Sequence, residues 1–88
     1  MNKVLVRIYV PYMEKQFDVW IPINKKIYNV IMLLTKAIFD MSRENIKLEK
    51  VPTLYNKATA EVYDINMTVK ESSIRNGTEL ILIWFKVI

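Results

Sequence analysis

Lys70-Glu71-Ser72-Ser73 sets two hydroxyls beside an amine, the minimal parts of a nucleophile and its base. Nothing around them supplies an oxyanion hole, and such adjacency is common by chance. Asp18, Glu61 and Asp64 do not form a spaced carboxylate pair for acid–base work. Lys25, Lys26, Lys47, Lys50 and Lys57, taken with Tyr9 and Trp20, offer the basic groups and stacking rings of a nucleic-acid platform. No glycine-rich phosphate loop or RNA-binding motif accompanies them, so scattered, solvated lysines account for these positions better. Cys and His are both absent, which removes thiolate and imidazole chemistry together with the usual zinc and iron ligands. The residues point to binding, and we expect no catalysis, no metal and no cofactor.

The elements that must carry such a surface fit one domain spanning 1–88, because 88 residues are too few to split into two cores. A 52% hydrophobic content excludes general disorder, and one Gly with three Pro leaves no linker or low-complexity tract. The formal charge of +4 favours anionic partners weakly, but no run of like charge concentrates it. A small basic nucleic-acid-binding protein is therefore the alternative to a protein-binding module. The apolar runs are far shorter than the roughly 20 residues of a membrane span, and no signal peptide is visible. We expect a cytoplasmic protein, associated with membranes only through a partner.

Val4, Val6, Ile8 and Val10 alternate with Lys3, Leu5, Arg7 and Tyr9, the period of a strand. After a break at Pro11–Lys15, Phe17, Val19 and Ile21 alternate with Gln16, Asp18 and Trp20 until Pro22, completing a hairpin. Asn24 is the expected N-cap of a helix over Ile27–Met41, with Ile23 and Tyr28 at staple positions. Ile27, Val30, Leu34, Ile38 and Met41 recur at helical spacing, and Ile31 and Ala37 widen that core face. Ile46–Leu48 and Val51–Tyr55 are candidates for a third strand, irregular at Pro52, and Glu61–Tyr63 for a short fourth. Thr68 and Glu71 have capping-box spacing, Ile74 anchors the turn, and Asn76-Gly77 reverses the chain into Leu80–Phe85.

The alternation has a consequence for binding. If Val4, Val6, Ile8, Val10, Phe17, Val19, Ile21, Leu80 and Leu82 face the helix, then Leu5, Tyr9, Trp20, Ile81, Ile83 and Phe85 point outward. An apolar cluster on an open sheet face marks a protein-binding or self-association surface. A second candidate interface is the helix stripe Tyr28, Met32 and Phe39, which lies roughly 120° from the core face and would suit a dimer or a partner helix. A homo-oligomer that buries these faces on itself is a further possibility.

The element order, the helix entry Asn24-Lys-Lys-Ile-Tyr-Asn-Val30 and the turn Thr68-Val-Lys-Glu-Ser-Ser-Ile74 resemble the ubiquitin-like β-grasp fold, an α+β class with a mixed four- to five-stranded sheet wrapped on one helix. Leu54-Tyr-Asn-Lys, Val62-Tyr-Asp-Ile-Asn-Met-Thr-Val69 and Ile74-Arg-Asn-Gly-Thr-Glu-Leu80 are similar to the YukD-like branch, small proteins of bacterial type VII secretion systems. The resemblance implies a non-catalytic cytoplasmic accessory component that docks beside membrane subunits of the secretion machine. The sequence runs to Ile88 without the di-glycine of ubiquitin, so non-covalent binding is expected in place of conjugation.

Overall fold

The computed structural model describes residues 2–42 and 50–84. The hairpin forms as the alternation requires: β1 (Lys3–Val10) pairs antiparallel with β2 (Lys15–Pro22) along its whole length. A 3-10 turn at Pro11–Met13 joins them, and Glu14 adopts a left-handed φ of 51° to close it. β2 reaches further than the sequence indicates and includes Pro22, which an edge strand tolerates because the missing N–H faces away from the sheet.

Helix α1 (Ile27–Ser42) packs Ile27, Val30, Ile31, Leu34 and Ile38 against the sheet. The predicted face is too wide: Ala37 is exposed, and Met41 is exposed although its angle points coreward, because it lies beyond Ile38, the last helix residue that the core covers. The N-cap is also displaced. Asn24 sits in the preceding turn, and Lys26 provides the first helical carbonyl, to Val30 N–H at 3.1 Å. The orphan N–H groups of Ile27 and Tyr28 are taken by the carbonyls of Met67 (2.8 Å) and Ile65 (3.0 Å), so a distant loop caps the helix in place of a side chain. Tyr28 is exposed and Ile23 packs on the core, so the predicted staple does not form.

β3 (Thr53–Asn56) begins just after the buried Pro52, and β4 (Glu79–Ile83) ends the described chain with Trp84. Ile46–Leu48 lies outside the described residues. The fourth strand expected at Glu61–Tyr63 is reduced to a single bridge, Tyr55 to Val62. Among the described residues the sheet has four strands in the order β2-β1-β4-β3, with β1 and β4 parallel and the other neighbours antiparallel. Gly77, at φ +86°, supplies the left-handed residue of the final turn. Asn76 Oδ1 accepts from Leu5 N–H and Leu5 carbonyl from Gly77 N–H, both at 2.8 Å, which docks that turn on β1.

Inside the sheet's curve, Val6, Ile8, Val10, Leu54, Val69, Ile74, Leu80 and Leu82 meet the helix and are essentially solvent-free. Each such aliphatic side chain contributes roughly 1.5–3 kcal/mol by burial. The capping box forms as read. Thr68 N–H donates to Glu71 Oε1 at 3.0 Å and Glu71 N–H donates back to Thr68 Oγ1 at 3.2 Å.

Candidate functional site

Leu5, Tyr9, Trp20, Ile81 and Ile83 do share the outward face of the sheet, whereas Phe85 lies outside the described residues. Leu5 stands opposite Trp20, Tyr9 opposite Ile81, and Ile81 opposite Tyr55 on β3. Leu5 is 38% exposed and Trp20 54%, while Tyr9, Ile81, Ile83 and Tyr55 are half-buried. The cluster is not continuous. Between the Leu5–Trp20 pair and the Tyr9–Ile81–Tyr55 row runs a charged row in which Arg7 stands opposite Asp18 on β2 and Glu79 on β4.

Arg7 Nε donates to Asp18 Oδ1 at 3.0 Å, and Lys57 Nζ lies 3.9 Å from Glu79 on the far side. The bond to Asp18 and its charge, with a lesser contribution from Glu79, raise the Arg7 pKa above its ordinary value. The face therefore presents two apolar patches with a fixed charged bar between them. Anything covering both patches would have to match that row, because a wrong register would bury unpaired charge. Tyr55 was not anticipated from the sequence, since only the register of β3 on β4 places it beside Ile81.

The helix stripe separates. Phe39 packs edge-on against Trp84, with ring centroids 4.8 Å apart, and belongs to the core's margin. Tyr28 and Met32 stay exposed at 40% and 39%. Leu33, absent from the expected stripe, is 57% exposed and turns toward β2. Lone exposed leucines are common, so the sequence carried no signal that distinguished it.

The hydroxyl candidates are committed to structure. Ser72 Oγ donates to Val69 carbonyl at 2.6 Å and accepts Ile74 N–H at 3.1 Å. Ser73 Oγ donates to Glu61 Oε1 at 2.9 Å, so at the 3.0 Å Tyr63–Ser73 contact the phenol must be the donor. Tyr63 oxygen in turn accepts from Asn56 Nδ2 at 3.1 Å. Asp64 holds an Asx turn through Asn66 N–H at 2.9 Å. Asp18, Glu61 and Asp64 thus each serve a separate local bond. Among the described residues no three of Asp and Glu gather as a metal site, and no helix is long and apolar enough to cross a membrane.

No family model and no curated protein sequence matches the chain. Solved structures do. The ubiquitin-like domain of EccD5 from Mycobacterium xenopi aligns with a TM-score of 0.77 at 16% identity, covering 100% of both chains. A chain of the MycP5-free ESX-5 inner membrane complex aligns at 0.76 and 14% identity, over 100% of this chain but 22% of that one. A chain of a toluene 4-monooxygenase HD complex with the inhibitor 4-bromobenzoate aligns at 0.77 and 15% identity, over 93% of this chain and 98% of that one. The strand order, the helix packed on the sheet and these alignments agree: the chain has the ubiquitin-like β-grasp fold.

Proposed function

We propose that this chain is a single ubiquitin-like protein-interaction module acting as a cytoplasmic accessory or regulatory component of a bacterial type VII secretion system. The observation that carries the reading is the end-to-end alignment with the EccD5 ubiquitin-like domain. The alignment with part of a chain in an inner membrane complex favours membrane subunits as partners. The YukD-like pattern supports it in a different way. Tyr63, Asp64, Asn76 and Gly77 all hold turns together here, so the shared residues are those that such a fold needs. Binding is then left to the outward face: Leu5 and Trp20 on one side of the Arg7–Asp18 bar, Tyr9, Ile81 and Ile83 on the other. The fold also occurs in an oxygenase complex, but this chain has neither His nor Cys to contribute to redox chemistry.

The test is affinity capture from detergent-solubilised membranes with wild type and Ile83→Glu side by side. Type VII membrane subunits retained by wild type and lost by the variant, with unchanged circular dichroism, are the expected result. Retention of nucleic acid alone, released by moderate salt, would replace this reading with the basic-protein alternative.

A further inference from the structure

Asn76-Gly77 is the one place in the sequence where an asparagine precedes a residue without a side chain. Asn2, Asn24, Asn29, Asn45, Asn56 and Asn66 are all followed by larger residues. The pairing has a chemistry of its own. The backbone nitrogen of Gly77 can attack Cγ of the Asn76 side chain, with no Cβ to obstruct the approach and both groups already on one chain. The new N–C bond closes a cyclic imide as the Gly77 nitrogen gives up its proton and the side-chain nitrogen leaves as ammonia. Water then opens either carbonyl of the ring, giving aspartate or isoaspartate.

The fold ties both reacting groups to Leu5 of β1. Leu5 N–H donates to Asn76 Oδ1 and Gly77 N–H donates to Leu5 carbonyl, each at 2.8 Å. The first bond polarises the carbonyl that would be attacked. The second holds the proton that the nucleophile must lose, and a polarised carbonyl is inert without a nucleophile. The clasp therefore protects. It can open without the core, because Asn76 and Gly77 are exposed and no described atom lies within 4 Å of where a Gly77 Cβ would stand. The turn borders a hollow of about 230 Å³, lined by Arg7, Asp18 and Glu79 among others, that brings water to it. The two products differ in their effect. Aspartate keeps a side-chain acceptor for Leu5 N–H. Isoaspartate lengthens the backbone by one carbon, which moves Gly77 off Leu5 carbonyl and frees Leu5 opposite Trp20.

We infer that Asn76-Gly77 is a self-modification site, in which the clasp to Leu5 holds back a deamidation that water alone completes. Conversion accumulates with the time the clasp spends open, and the isoaspartate product leaves it open. The reaction needs no partner, so the site stands or falls separately from the function proposed above.

The test ages the intact chain beside the synthetic peptide Ser-Ile-Arg-Asn-Gly-Thr-Glu, with aspartate and isoaspartate at the asparagine followed by peptide mapping and mass spectrometry. Asn76 should convert in the chain roughly tenfold or more slowly than in the peptide, since two hydrogen bonds must break together. Urea too dilute to unfold the chain should speed conversion and Gly77 amide exchange in proportion. The purified isoaspartate form should lose amide protection at Leu5 and Gly77, whereas Asn76→Asp should keep it at Leu5. Conversion at or above the peptide's rate would overturn the protective clasp. Unchanged Asn76 in a chain whose Gly77 amide exchanges freely would overturn the site itself. An isoaspartate form with Leu5 still protected would overturn the release of β1.

Discussion

The two margins of this sheet are built from strands of similar character and end in opposite states. At β3, the outward Leu54 carbonyl and both Asn56 backbone groups are engaged: Leu54 carbonyl takes Tyr63 N–H at 3.1 Å, and Asn56 N–H reaches Glu61 carbonyl at 2.9 Å. Asn56 carbonyl takes Ala60 N–H, and its side chain accepts the amides of Ala58 and Thr59. The chain folds back on its own edge and locks there through the buried Tyr63. At β2, among the described residues, no segment returns. The difference shows that an edge need not be closed by a further strand, since one bridge and a tyrosine suffice, and that the edge left open is the one lying beside an apolar groove.

The heaviest blow to the closed margin is Tyr63→Ala. It removes a side chain 4% exposed together with its bonds to Asn56 and Ser73, and should cost about 3–5 kcal/mol in urea unfolding. Thr68→Ala acts one step away. The Thr68–Glu71 box holds the turn that bonds Lys25 and Ile23 through Val69 and Lys70, and losing it should cost about 1 kcal/mol.

The same box gives the closed side a pH dependence. Backbone and side-chain hydrogen bonds from Thr68 hold the Glu71 carboxyl below the ordinary glutamate value. A depressed folded pKa contributes stability that is complete above the unfolded value and lost as pH falls through the folded one. Glu71→Gln should therefore lower stability in the neutral region and leave the acid end little changed, flattening the acid limb of the profile as followed by thermal melts at successive pH values. On the open margin, Trp20→Ala should shift unfolding by no more than about 0.5 kcal/mol, since the indole is 54% exposed. Similar losses at Tyr63 and Trp20 would erase the distinction between the margins.

Most of the frame was legible in the sequence because it depends on local periods. The alternation in Lys3–Val10 and 16–21, the helical stripe from Ile27 to Ile38 and the capping box at Thr68 each read correctly without knowledge of distant neighbours. What stayed hidden depends on pairing across the chain. The helix is capped by carbonyls some forty residues away in sequence, at Ile65 and Met67, so the local acceptor Asn24 was the wrong choice. The sheet face read correctly as apolar. Its division by Arg7, Asp18 and Glu79 appears only once β1 is registered on two neighbours at once. Phe39 looked like part of an exposed stripe because Trp84, which covers it, comes from the other end of the sequence. The open edge of β2 was likewise illegible, because strand order is not written in any strand.

Amide hydrogen exchange on the free chain, read residue by residue along β2, tests the contrast between margins most directly. Phe17, Val19 and Ile21 should be protected by their bonds to β1, and Asn56 and Tyr63 by the closed margin. Gln16, Asp18 and Trp20 should exchange close to the rate of an unfolded chain, giving a period-two pattern within a single strand. Uniform protection along β2 in the monomer would show that this edge is covered, and would contradict the account of an open margin.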